Sequence, residues 1–153
     1  MAATSGLRLS AAEVGRLASL LTGAHLTLDL DEVQRGVPAG PRLAPRLHGT
    51  SALLLGRQYQ AEVASARLDT PVVVDAPTTA GLLGLLERAA ADLEAFADRR
   101  EHGGYLLGTH RFRELAQRCR AWRADLVELA ERQRGRACCE RAHPTGRGQG
   151  VQR

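Results

Sequence analysis

Two stretches in the C-terminal half of the chain repeat apolar residues at alternating steps of three and four. One runs through Leu82, Leu86, Ala89, Leu93 and Phe96, the other through Phe112, Leu115, Cys119, Trp122, Leu126 and Leu129. This is the heptad rhythm of helices that pack lengthwise on other helices. It predicts helices over about 78–101 and 110–134. Thr78 or Asp75 opens the first, His102, Gly103 and Gly104 end it, and Gly135 closes the second. Gly81 and Gly84 weaken the first turns of helix 78–101 by up to about 1 kcal/mol each. With so short a linker, the matched seams predict an antiparallel hairpin. Burying each large seam residue stabilises by roughly 1.5–3 kcal/mol. An exposed ion pair such as Glu114 with Arg118 or Glu128 with Arg132 adds only about 0.2–0.5 kcal/mol. The apolar seam therefore decides the packing.

Towards the N-terminus the pattern changes. Ser10, Ala11, Ala12 and Glu13 form a capping box, followed by Val14, Leu17 and Leu21 at helical spacing. Gly23 sits where a left-handed terminator is wanted, so a helix is expected over 10–22. Residues 25–31 then alternate, with Leu26, Leu28 and Leu30 to one side and His25, Thr27, Asp29 and Asp31 to the other, as in a half-buried strand. Gly36, Pro38, Gly40, Pro41 and Pro45 predict a loop. Thr50 or Ser51 caps a further helix, 51–67, carried by Ala52, Leu55, Tyr59, Val63 and Ala66. The β-branched run at 71–75 reads as a second strand pairing with 25–31, or as an extended connector. The expected fold is mostly α: a helical bundle built on the 78–101/110–134 hairpin, with at most a small two-stranded β element from 25–31 and 71–75. Residues 1–135 form one domain, and the Gly/Arg-rich tail 136–153 is expected to be disordered.

Composition changes how the charge is read. The chain contains no Lys, Asn or Ile, whose codons are A/T-rich, which points to a GC-rich bacterial genome. Its 21 basic residues are thus all Arg, and part of that Arg content is codon bias rather than a binding signature. The net charge of +4 is concentrated beyond residue 110, making that region a candidate for contact with anions or for docking on acids of its own chain. The longest apolar bursts, 52–55 and 72–74, fall far short of the roughly 18–20 residues of a membrane span. The N-terminal stretch lacks a secretory pattern. An odd number of Cys, with Cys138 and Cys139 adjacent, is unlike a secreted disulfide framework. A cytoplasmic protein with reduced thiols and no membrane association is expected.

The candidate chemistry is thin. Arg113, Arg120, Arg123, Arg134 and Arg136 are the candidate contacts for an anion or nucleic acid. They form no clean stripe, however, and Glu114, Asp125, Glu128 and Glu131 interrupt them. Of five aromatic residues, Phe112 and Trp122 lie in the seam, which disfavours a base-stacking platform. A helix-turn-helix would need a polar or basic recognition helix where the acidic, alternating 26–31 stands. His25, Asp29 and Asp31 share one face of the expected strand and are the candidate trio for a divalent metal or acid–base work. The ordinary reading is the polar side of an amphipathic strand. Cys119, Cys138, Cys139 and His143 lack the paired spacing that grips a tetrahedral zinc. No phosphate loop, nucleophile elbow or H-E-x-x-H motif occurs. No catalytic, cofactor-binding or metal-ligating residue is therefore assigned. The leading expectation is a small non-enzymatic helical protein that associates with itself or a protein partner through apolar seam residues. The alternatives are a nucleic-acid-associated protein using the C-terminal helix and tail, and an enzyme or metal site at His25/Asp29/Asp31.

Overall fold

The computed structural model describes residues 6–142. Four long helices form two hairpins, joined at one end by a two-stranded antiparallel sheet. In chain order the elements are β1 (Leu7–Leu9), α1 (Ala11–Gln34), α2 (Leu43–Ser65), β2 (Val72–Val74), α3 (Ala76–His102) and α4 (Thr109–Ala142). The mostly helical architecture and the α3–α4 hairpin follow the seams read from the sequence. Leu82, Leu86, Ala89 and Leu93 of α3 are fully buried, facing Ala116, Cys119 and Leu126 of α4. Phe112, Leu115, Trp122 and Leu129 of the α4 stripe are half-buried.

The expected strand at 25–31 is helical. Ser10 caps α1 as anticipated, its hydroxyl accepting from Glu13 N while Glu13 Oε2 accepts from Ser10 N at 2.7 Å. The helix then runs through Gly23 instead of ending there. Val14, Leu17, Leu21, Ala24 and Leu28 make one continuous seam at spacings of 3 and 4, and all are buried. Leu28 is the only one of the three alternating leucines in the core, with Leu26 and Leu30 exposed. Gly23 faces α4, where an added Cβ would approach Leu115 Cδ1 at 3.9 Å. Helix continuity won because it buries Ala24 and Leu28 at no cost in hydrogen bonds, whereas a short strand would need a partner.

The second helix begins at Leu43, eight residues earlier than read, with Pro45 in its first turn where a missing N–H is harmless. Ser51 is interior and buried, its hydroxyl donating to Ala18 O at 3.1 Å across the α1–α2 hairpin. The expected β element forms, but with a different partner. Val72–Val74 pairs with Leu7–Leu9 in the register Leu7↔Val74, Arg8↔Val73, Leu9↔Val72. Gly6 passes so close that a Cβ there would meet Val74 O at 2.7 Å. Gln133 of α4 closes the free edge of β1, accepting from Arg8 N at 2.9 Å and donating to Arg8 O at 3.0 Å. α4 also continues through Gly135 to Ala142, so 136–142 are helical and not part of a disordered tail. Residues 143–153, His143 among them, lie outside the described residues.

Candidate interaction surface

Three Arg residues of α4 find acids on α3. Arg113 bridges Asp98 at 3.0 Å and Glu101 at 2.6 Å on α3. Arg120 grips both carboxylate oxygens of Glu94, and Arg123 lies 3.9 Å from Glu87. The guanidinium hydrogen bonds hold the Glu94 and Glu101 carboxyls below their ordinary value of 4.5. Three of the five candidate anion contacts thus stitch the hairpin together. Arg134 and Arg136 have no ion pair among the described residues. Arg134 borders a groove of about 270 Å³ between β1, α3 and α4, lined also by Leu7, Leu83 and Val127. The pairs Glu114 with Arg118 and Glu128 with Arg132 are not among the described ion pairs.

His25, Asp29 and Asp31 do not converge. His25 Nδ1 donates to Ala44 O at 2.8 Å, and its ring lies 4.9 Å from that of His48. Asp29 pairs with Arg42. Asp31 is buried and accepts from Arg35 Nε at 2.9 Å and from Arg99, tying α1 to α3. Next to it, the buried Glu32 does what no local residue does for α2. Its carboxylate accepts from Leu43 N at 2.8 Å and Ala44 N at 3.2 Å, capping a helix that has no side-chain cap of its own. Arg42 Nε donates to the same carboxylate at 3.4 Å. Burial pushes the nearby Asp92 carboxyl up from its ordinary value. This polar cluster fixes the ends of α1, α2 and α3. Among the described residues, no three His, Cys, Asp or Glu side chains are grouped as metal ligands. Cys119 is buried, its thiol pushed up to about 11 by desolvation, while Cys138 and Cys139 are exposed.

The outer face of the α1–α2 hairpin is the least ordinary surface. At 100° per residue, Leu26, Leu30 and Val33 of α1 fall within about 60° of one another, on the side opposite Leu28. Leu55, Tyr59 and Val63 of α2 share a comparable sector. All six are between 46% and 68% exposed. Among the contacts that join the hairpin are Thr22 with Ser51, at 3.2 Å between hydroxyls, and His25 with Ala44 and His48. Those contacts place the two sectors side by side. The remaining outward positions are Ala12, Gly15 and Ser19 on α1 and Pro45, His48 and Ala52 on α2, with Arg16, Asp29 and Glu62 at the edges. No Asp, Glu or Arg stands in either sector, although a quarter of the chain is charged. The α4 seam residues Phe112, Leu115, Trp122 and Leu129, by comparison, are half-buried.

A second exposed apolar feature is smaller. Tyr105, Leu106 and Leu107 form the α3–α4 turn, between Gly104 and Gly108, both at φ +83°. The Arg100 guanidinium lies 5.5–5.7 Å from the ring centroids of Phe96, Tyr105 and Phe112, which organises that turn by cation–π attraction. No described helix is long and apolar enough to cross a membrane. The chain matches no known protein family, no curated protein and no solved structure.

Proposed function

We propose that this protein is a non-enzymatic helical interaction protein whose docking surface is the outer face of the α1–α2 hairpin. The observation carrying this reading is the pair of adjacent, exposed, charge-free sectors holding Leu26, Leu30, Val33, Leu55, Tyr59 and Val63. Exposed apolar side chains gathered on one charge-poor face mark an interaction site. A nucleic-acid interface draws less support, because acids on α3 neutralise Arg113, Arg120 and Arg123.

The test is site-specific photo-crosslinking of the full chain in its cell of origin. A crosslinking amino acid replaces Tyr59 or, as a control, Glu128 on the exposed back of α4. The reading expects an adduct from position 59, none from 128, and loss of the first adduct when Leu26→Asp is added. No adduct at 59, or one indifferent to Leu26→Asp, overturns it.

A further inference from the structure

The proposed docking face has a shape that identifies its occupant. Bulk is distributed diagonally across it. On α1 the first half of the outward sector is small, with Ala12, Gly15 and Ser19, and the second half is large, with Leu26, Leu30 and Val33. On α2 the order is partly reversed along the hairpin. Its first half carries Pro45, His48 and Ala52, with no large aliphatic side chain, beside the large half of α1, and its second half carries Leu55, Tyr59 and Val63, beside the small half of α1. A two-fold axis lying in the plane of the face, along or across the helices, brings either α1 against α2 of the second copy or each helix against its own copy. In both arrangements the apolar bulk of one copy meets a half that has no large aliphatic side chain. Resting on the reading of this face as a docking surface, we infer that its partner is a second copy of this chain, the two hairpins packing face to face.

Charge and area agree with that occupant. A two-fold contact sets a patch against itself, so any net charge on it would meet like charge. The sectors themselves hold no Asp, Glu or Arg, and the charges at their edges are of both signs, Arg16, Asp29 and Glu62, whereas the backs of α3 and α4 are densely charged. The sector from residue 12 to 33 is about 30 Å long and the two helices together are about 20 Å wide. A face-to-face dimer thus buries roughly 600 Å² per copy, at the lower edge of what a specific, stable interface needs. The chain itself leaves room for it: a Cβ added at Gly15 would meet no side chain or neighbouring element of the same chain within 4 Å.

That open space supplies a discriminating experiment. Sedimentation velocity of the purified full chain, from low micromolar to near-millimolar concentration, should give a reversible monomer–dimer equilibrium. Leu30→Asp should weaken it by about tenfold or more, as expected for a charge placed in a buried contact. Gly15→Leu makes the face more apolar and the helix intrinsically more stable, yet it fills a hollow that the partner's bulk must enter. It should also weaken dimerisation by about tenfold, with circular dichroism and melting temperature unchanged or raised. Non-specific hydrophobic association predicts the opposite, tighter self-association of Gly15→Leu, and that result overturns the inference. A strict monomer at every concentration overturns it as well. In that case a crosslink from position 59 to a different protein leaves the docking surface standing, and no crosslink removes both.

Discussion

Replacing Glu32 tests how the α1–α2 hairpin is held in the geometry that presents its outer face. Glu32 is 2% exposed and receives the first two free N–H groups of α2, at 2.8 Å from Leu43 and 3.2 Å from Ala44, together with Arg42 Nε at 3.4 Å. Glu32→Ala removes a helix cap, a loss of about 1 kcal/mol in ordinary cases. Here the same loss is larger, because the two N–H donors left unsatisfied are buried, at about 1–3 kcal/mol each where water cannot reach. Arg42 softens the effect, since it keeps its pair with Asp29. The expected destabilisation is about 3–4 kcal/mol, or roughly 6–16 °C in melting temperature for a chain of this size. Glu32→Gln keeps an acceptor oxygen and loses only the charge, so about 1–2 kcal/mol is expected. Urea titration of both variants, followed by circular dichroism, measures the difference. A loss below about 1 kcal/mol for Glu32→Ala, or equal losses for Ala and Gln, would refute the argument that a distant carboxylate caps α2.

Other outcomes follow from the same coordinates. With Cys119 buried and its thiol pushed up to about 11, a thiol reagent at neutral pH should label Cys138 and Cys139 quickly and Cys119 only after unfolding; three fast thiols would contradict its burial. Glu94 and Glu101 are held below their ordinary value by Arg120 and Arg113, and Asp75 below its own by Thr78. Their contribution is present above the unfolded values near 4 and is lost as pH falls below them. Asp92, raised by burial, acts in the opposite sense as one group against three. The melting temperature should therefore drop on acidification below about pH 4.5, and the drop should be smaller in the Arg120→Gln, Arg113→Gln double variant; an equal drop in both proteins would refute the role of these pairs. Gly6→Ala, which drives a Cβ into Val74 O at 2.7 Å, should detach β1 and accelerate amide exchange of Leu9 and Val74, whose partners across the ladder flank the Arg8↔Val73 pair, and unchanged exchange would refute the close approach.

What the sequence revealed and concealed has a physical logic. The α3 and α4 seams were legible because each helix has one apolar face and meets its partner through a short turn. α2 began earlier than its local signals because its cap is Glu32, far away in sequence, and no residue near Leu43 announces it. β1 has only three residues, too few for a pattern. Residues 25–31 misled for a more telling reason. Leu28 belongs to the core seam of α1, while Leu26 and Leu30 belong to its outward sector. A helix with apolar residues on two opposite faces imitates strict alternation over a few residues. The leucines that disguised the helix as a strand are the same ones that build the candidate docking surface. The Arg content of α4, by contrast, looked like a signal for acidic partners and is answered in part, at Arg113, Arg120 and Arg123, by Glu87, Glu94, Asp98 and Glu101.

The central claim is about which surface becomes covered, and methyl NMR with a soluble paramagnetic agent reads that residue by residue. As protein concentration rises, the methyl groups of Leu26, Leu30, Val33, Leu55 and Val63 should lose contact with the agent. Those of Leu106 and Leu107 in the α3–α4 turn, equally exposed in the single chain, should stay fully accessible. Shielding of Leu106 and Leu107 instead, or no shielding of the α1–α2 face at any concentration, would contradict the account.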